Sequence, residues 1–309
     1  MESVNDRPSG CVERTELKGA RFRHVVFSDS LPAIRRSADF SPPAGRRSSV
    51  EAFPVARPQD DSFLLWILEK VGLDPTQYRL ETLRRRLPSI LRGLRAASSA
   101  EARCLVQRDL SLLPTALSGA IIGVTSFFRE PQVFDRLRTK LTDLAPSRPL
   151  RVWSLGCSDG AELFSIAILL DELGRLEGCE LLGTDCRSEA IAAAREGFFE
   201  AQSLKDVSIE RCRYFDRYPA RWRVTGRLRR ATTWRLGNAL TYVEPGPWDV
   251  ILCRNLAIYL HDDAIAGLWR RLSGALRPGG YLVAGKADRP SDGSRLALIG
   301  PCLYRRESI

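Results

Sequence analysis

The sequence predicts an α/β protein: a doubly wound, mainly parallel sheet with a small antiparallel β subdomain, preceded by a small all-α domain. Three observations predict it. Between Arg151 and Leu170 the chain reads RVWSLGCSDGAELFSIAILL, an apolar strand, a turn framed by Gly156 and Gly160, and an apolar helix. Strands and helices then alternate to about residue 285, the pattern of parallel strands joined by crossover helices. Upstream, Leu80, Leu83, Leu87, Ile90, Leu91 and Leu94 recur at helical spacing, which marks one buried stripe.

Residues 1–60 are rich in Ser, Pro and Arg with little periodicity, so a mostly disordered extension is expected there, with RFRHVVF at 21–27 as a candidate strand. Residues 61–122 read as a helical domain. FLLWILEKVGL forms a first helix that Gly72 ends, and the leucine stripe follows, kinked or divided at Pro88. Helices over about 99–113 and 114–122 complete the domain. Residues 123–309 form the α/β part. PQVFDRLRTKLTDL is a helix leading to a strand at 150–155, followed by helix 161–174, strand 179–184, helix 188–196, strand 249–254, helix 262–275 and strand 280–285. Trp222, Val224, Leu228, Thr232 and Trp234 suggest short antiparallel strands inserted at about 205–238.

Bulk composition narrows the classes. A net charge of +10, largely from arginine, favours acidic partners. No apolar run approaches the roughly 18 residues of a membrane span. The first residues hold no continuous apolar stretch, so export is disfavoured and a cytoplasmic location is expected. Eight cysteines without a C-x-x-C pair, beside two histidines, argue against a zinc site or a disulfide framework.

The glycine turn lets a ligand approach bare backbone at a helix N-terminus. Its spacing matches neither G-x-G-x-x-G nor a P-loop. A strand ends in Asp185, about thirty residues past Gly156, where a carboxylate suits a ribose diol. A strand from Trp248 ends in Arg254-Asn255, and LRPGGYLVAG follows at 276–285. Together these resemble class I methyltransferases, Rossmann-like proteins that use S-adenosylmethionine.

Thr125-Ser-Phe-Phe-Arg129-Glu, RVWSLGC, Glu162, Phe164-Ser165, Asn238 and Cys253-Arg-Asn-x-x-x-Tyr259 narrow the likeness further. They resemble the CheR family of chemoreceptor protein-glutamate O-methyltransferases, over about residue 62 to the end. The resemblance implies S-adenosylmethionine as cofactor, no metal, and a cofactor site of Thr125, Arg129, Gly156, Glu162, Asp185, Asn238, Ala239, Arg254 and Asn255. It places Arg129 and Tyr259 beside the methyl group and its acceptor. Arg85, Arg92 and Arg95, opposite the leucine stripe, would meet methyl-accepting receptor helices, with Arg221, Arg223, Arg227, Arg229 and Arg230 on a docking subdomain. No RNA-binding signature accompanies these arginines.

Singly, Glu162 would serve as a first-turn helix acid, Asn238 as a loop cap and Arg254 as a structural ion pair; the set carries the assignment. A glutamate acceptor is ionised near neutral pH, so alignment rather than a general base is expected to drive transfer. Two other readings stay open: a non-catalytic module that binds cofactor and partner, and a methyltransferase for RNA or a small molecule. The chain departs from the family's pattern at Gly123, Ala161, Leu163-Phe164 and Gly285-Lys-Ala-Asp288, which bears on cofactor affinity and substrate choice.

Overall fold

The computed structural model describes residues 58–308 apart from 122, 124, 145–147, 291 and 292. The extension expected at 1–60 and the strand at 21–27 lie outside these residues, save for 58–60, which open the first helix. That helix, α1 (Pro58–Lys70), buries Phe63, Leu64, Trp66, Ile67 and Leu68. The leucine stripe forms α2 (Leu80–Arg84) and α3 (Leu87–Leu94). The break falls at Arg85-Arg86, and Pro88 sits in the first turn of α3, where its missing N–H costs no helical bond. Leu83 and Ile90 are wholly buried and Leu94 nearly so, while Arg85, Arg92 and Arg95 are exposed. Ser98 caps α4 (Ser99–Arg108) by accepting from Glu101 N–H at 3.2 Å, and α5 (Leu113–Ala120) closes the group. The Arg84 guanidinium grips both oxygens of Asp61 at 2.7 Å, tying α2 to α1.

The α/β part begins with α6 (Pro131–Asp143), β1 (Arg151–Leu155), α7 (Ala161–Glu172), β2 (Glu180–Asp185) and α8 (Ser188–Glu196). Next come β3 (Phe198–Phe199), β4 (Phe215–Arg217), β5 (Trp222–Val224), α9 (Gly226–Ala231) and β6 (Thr232–Leu236). The chain finishes with β7 (Trp248–Cys253), α10 (Asp262–Ala275), β8 (Leu276–Ala284), β9 (Leu296–Gly300) and β10 (Leu303–Arg306). Seven strands form one sheet in the order β6-β2-β1-β7-β8-β10-β9. The first five run parallel, and β10 lies antiparallel between β8 and β9. This is the class I methyltransferase architecture.

Two stretches differ from the sequence expectation. The small antiparallel sheet is β3-β5-β4, within 198–224. Thr232 and Trp234, expected among its strands, lie on β6, which adds in parallel to β2 at the edge of the main sheet, and Leu228 lies on α9. Strand β8 also starts earlier than expected. Leu276 already pairs with Trp248, and the register jumps to Val250 opposite Tyr281, so the Pro-Gly-Gly turn becomes an irregularity within the strand.

The helical segment shares a buried core with the sheet, reaching from Phe63 and Leu83 to Trp153 and Trp269. Main-chain bonds stitch them: Arg79 N–H donates to Tyr259 O at 2.8 Å and His261 N–H to Gln77 O at 2.9 Å. Inside the sheet the buried Trp153 indole donates to Thr184 Oγ1 at 2.9 Å. Thr184→Val keeps the volume but strands that N–H, and should cost about 1–3 kcal/mol in urea unfolding with an unchanged denaturant slope.

Candidate functional site

The parallel strands all end on one side of the sheet, where open α/β sheets bind ligands. After β1 the loop turns through Gly156 and Gly160 at φ +67° and +90°. A Cβ on Gly160 would lie 2.4 Å from the Trp234 ring, so position 160 requires glycine on both counts. Cys157 N–H donates to Thr184 O at 3.0 Å, fastening this loop to the end of β2.

A cleft enclosing about 840 Å³, partly open to solvent, lies over these strand ends. Thr125, Arg129, Gly156, Glu162, Asp185, Asn238, Ala239, Arg254, Asn255 and Tyr259 all line it. Exposed Arg85, Arg92 and Arg95 do not.

The T-S-F-F-R string divides its labour. Phe127 and Phe128 are buried; Phe127 packs edge-on against Phe199 and Phe215, and Phe128 against Phe134. Phe128 N–H donates to Ser165 Oγ at 3.0 Å, and that hydroxyl donates to Ala161 O at 2.7 Å. The aromatic pair thus anchors the segment while Thr125 and Arg129 face the cleft. Leu163 and Phe164 are wholly buried and do not line it.

Glu162 and Arg254 pair with each other. Arg254, whose side chain is 0% exposed, donates Nη1 to Glu162 and Nη2 to Glu130 at 2.9 Å. Burial pushes the Glu162 carboxyl up, against the pull of Arg254 and then Arg129. Lys286, which departs from the family pattern, reaches Glu130 at 3.7 Å. Asn255 adopts φ +59°, and its N–H donates to the buried Asp288 carboxylate, so Asp288 supports the turn that presents Asn255. Asn238 accepts from Leu240 N–H at 2.9 Å, capping its own turn. Asp185 is also occupied, by Ser158 N–H and by Arg187.

Tyr78, Cys186, Arg187 and Leu256 are among the cleft residues that have no place in the sequence reading of the site. Tyr78 belongs to the helical segment and arrives through its bridge to Leu260. Burial raises its phenol above the usual range, with Cys186 and Asp185 adding to the effect. No local pattern marks it; only the pairing across about 180 residues brings it here. Several arginines of the inserted region are engaged internally: Arg227 pairs with Asp171 at 2.7 Å and Arg229 donates to Val224 O at 3.0 Å. Arg221 and Arg223 both lie over the Phe198 ring.

The donor set fits S-adenosylmethionine. Acids suit a cationic, hydroxyl-bearing ligand, and two buried polar atoms of cleft residues, Thr125 Oγ1 and Arg254 Nε, have no hydrogen-bond partner within the protein. Among the described residues no group of three or more metal-capable side chains occurs.

Comparison with known proteins points the same way. Residues 123–296 match the family model described as CheR methyltransferase, SAM binding domain. Chemotaxis protein methyltransferase 1 of Pseudomonas aeruginosa is 30% identical over 210 residues, 63% of this chain and 76% of the relative. Chemotaxis protein methyltransferase Cher2 of Pseudomonas putida is 29% identical over the same shares. A chemotaxis protein methyltransferase of Listeria innocua is 29% identical over 224 residues, 71% of this chain and 85% of the relative.

Proposed function

The chain belongs to the CheR methyltransferase family, and from that premise we propose that it methylates glutamate side chains of a chemoreceptor-like protein, forming methyl esters. The observation that carries the proposal is the single cleft in which Arg129, Glu162, Asp185, Asn238, Arg254, Asn255 and Tyr259 converge over the strand ends. S-adenosylmethionine, when bound, supplies a methyl group on a sulfonium, transferable in line to a nucleophile and leaving S-adenosylhomocysteine.

The chain's own residues then bind and orient. Asp185 accepts from the ribose, and Asn238 and Ala239 border the same side of the cleft. Thr125 Oγ1 and Arg254 Nε, which have no hydrogen-bond partner within the protein, supply polar contacts. Glu162 sets local negative charge near the cationic end while holding Arg254. Arg129 orients the acceptor carboxylate through its planar fork, and Tyr259 sets the acceptor's position with its ring and hydroxyl. The acceptor carboxylate arrives ionised at neutral pH, so alignment supplies the rate, up to about 7–11 kcal/mol in ideal intramolecular cases.

Arg85, Arg92 and Arg95, exposed on the helical segment, would meet acidic receptor helices. A cytoplasmic location belongs to the same proposal; no helix of the described residues is long and apolar enough to cross a membrane. The test is transfer of labelled methyl to a receptor helical bundle. Label released by mild alkali supports ester formation. Alkali-stable label, or transfer to RNA instead, contradicts it, as does cofactor binding without transfer to any receptor.

A further inference from the structure

Donors from within the protein take every acceptor site of Asp185. Its Oδ1 accepts from Arg187 N–H and Nε, both at 3.0 Å, and its Oδ2 from Ser158 N–H at 2.9 Å and Arg187 Nη2 at 3.3 Å. An ionised carboxylate offers about four lone-pair sites, so all of them are filled. Two of the donors are main-chain N–H groups held by the loop after β1 and the turn after β2. The other two belong to one guanidinium, the only donor that side-chain rotation can withdraw.

That guanidinium sits in a hollow that exists because residue 123 lacks a side chain. A Cβ on Gly123 would lie 2.3 and 2.4 Å from Arg187 Nη2 and Nη1, and 2.4 Å from Ser158 Oγ, which shares the space. Ser158 Oγ donates to Gly123 O at 2.7 Å and holds the segment there. Gly123, Ser158, Asp185 and Arg187 all line the cleft, and the Arg187 side chain is only 8% exposed.

We propose that Arg187 is an internal competitor for the cofactor's ribose: its guanidinium holds Asp185 and must withdraw when a diol binds, so Arg187 sets cofactor affinity. The proposal rests on the S-adenosylmethionine reading of the cleft. Two charge-assisted hydrogen bonds are exchanged for two hydroxyl donors, and the affinity lost to that exchange returns when the guanidinium is removed. Gly123 and Arg187 act as a pair, one making the space and the other filling it.

The test is calorimetric titration of the full chain with S-adenosylhomocysteine and with its 2′,3′-dideoxy analogue. Arg187→Met keeps an unbranched apolar stem and leaves Asp185 its two main-chain donors. It should bind S-adenosylhomocysteine about tenfold more tightly than wild type, an affinity change on the scale of one charged hydrogen bond. The dideoxy analogue should gain little, because it has no hydroxyls to compete for Asp185. Arg187→Leu, which likewise removes the guanidinium and leaves Asp185 its two main-chain donors, should shift affinity in the same direction and carries the test if Arg187→Met fails to fold. Unchanged or weaker binding by both variants overturns the proposal, as does an equal gain for both ligands. Asp185→Ala separates the two levels. If it leaves affinity unchanged, the ribose assignment itself fails; if it weakens binding while Arg187→Met brings no gain, only the competitor role fails.

Discussion

Replacing Arg254 by Met should destabilise the protein by about 3–5 kcal/mol near pH 8, the usual consequence of removing one partner from a buried ion pair. The Arg254 side chain is 0% exposed and bridges Glu162 and Glu130, themselves 11% and 17% exposed. Its loss leaves two neighbouring carboxylates in poor solvent contact. Burial already pushes the Glu162 carboxyl up against the opposing pull of Arg254, so without Arg254 it rises further. An acid with a raised folded-state pKa binds its proton more readily folded than unfolded. The variant therefore regains stability as pH falls through that raised value, and bears the full penalty above it. Urea unfolding of wild type and variant at about pH 8 and about pH 5 should show the gap narrowing in acid. A gap that stays constant across that range would mean the network is not holding Glu162 ionised.

Arg129→Ala should reduce methyl transfer by about a hundred- to a thousandfold in kcat, the range seen when one preorganised donor is removed from a reaction centre. Affinity for S-adenosylhomocysteine should fall much less, because Asp185, Asn238 and Asn255 remain in the cleft. Arg129→Lys keeps the positive charge but loses the planar fork, so it should fall between wild type and Ala. Turnover measured alongside cofactor titration separates this from a structural role, in which both quantities and the unfolding midpoint would decline together.

The parallel sheet is legible in the chain because strands and helices alternate with short connections, and the observed β1, β2 and β7 begin within one residue of the expected strands. Edge strand β6 is harder to place. Alternate burial along Thr232–Leu236 suits a parallel edge strand as well as an antiparallel hairpin, and period-2 patterning does not name the partner. Pro88 marks the end of one helix and the start of another without locating the break, since proline is accommodated in a first helical turn. At the site, residue types are legible and pairings are not. Glu162 and Arg254 each read as ligand contacts, yet they lie 92 positions apart and meet each other. Arg187 resembles any basic residue before a helix. The signal that could have flagged it is Gly123, whose missing side chain becomes meaningful only beside the guanidinium that fills its place.

Assignment of the cleft as an S-adenosylmethionine site is tested most directly by calorimetric titration with S-adenosylhomocysteine. It predicts saturable one-to-one binding, weakened by about tenfold or more in Asp185→Ala, as expected when hydrogen bonds to a charged acceptor are lost. Absence of binding at millimolar ligand, or binding that Asp185→Ala leaves untouched, would contradict it.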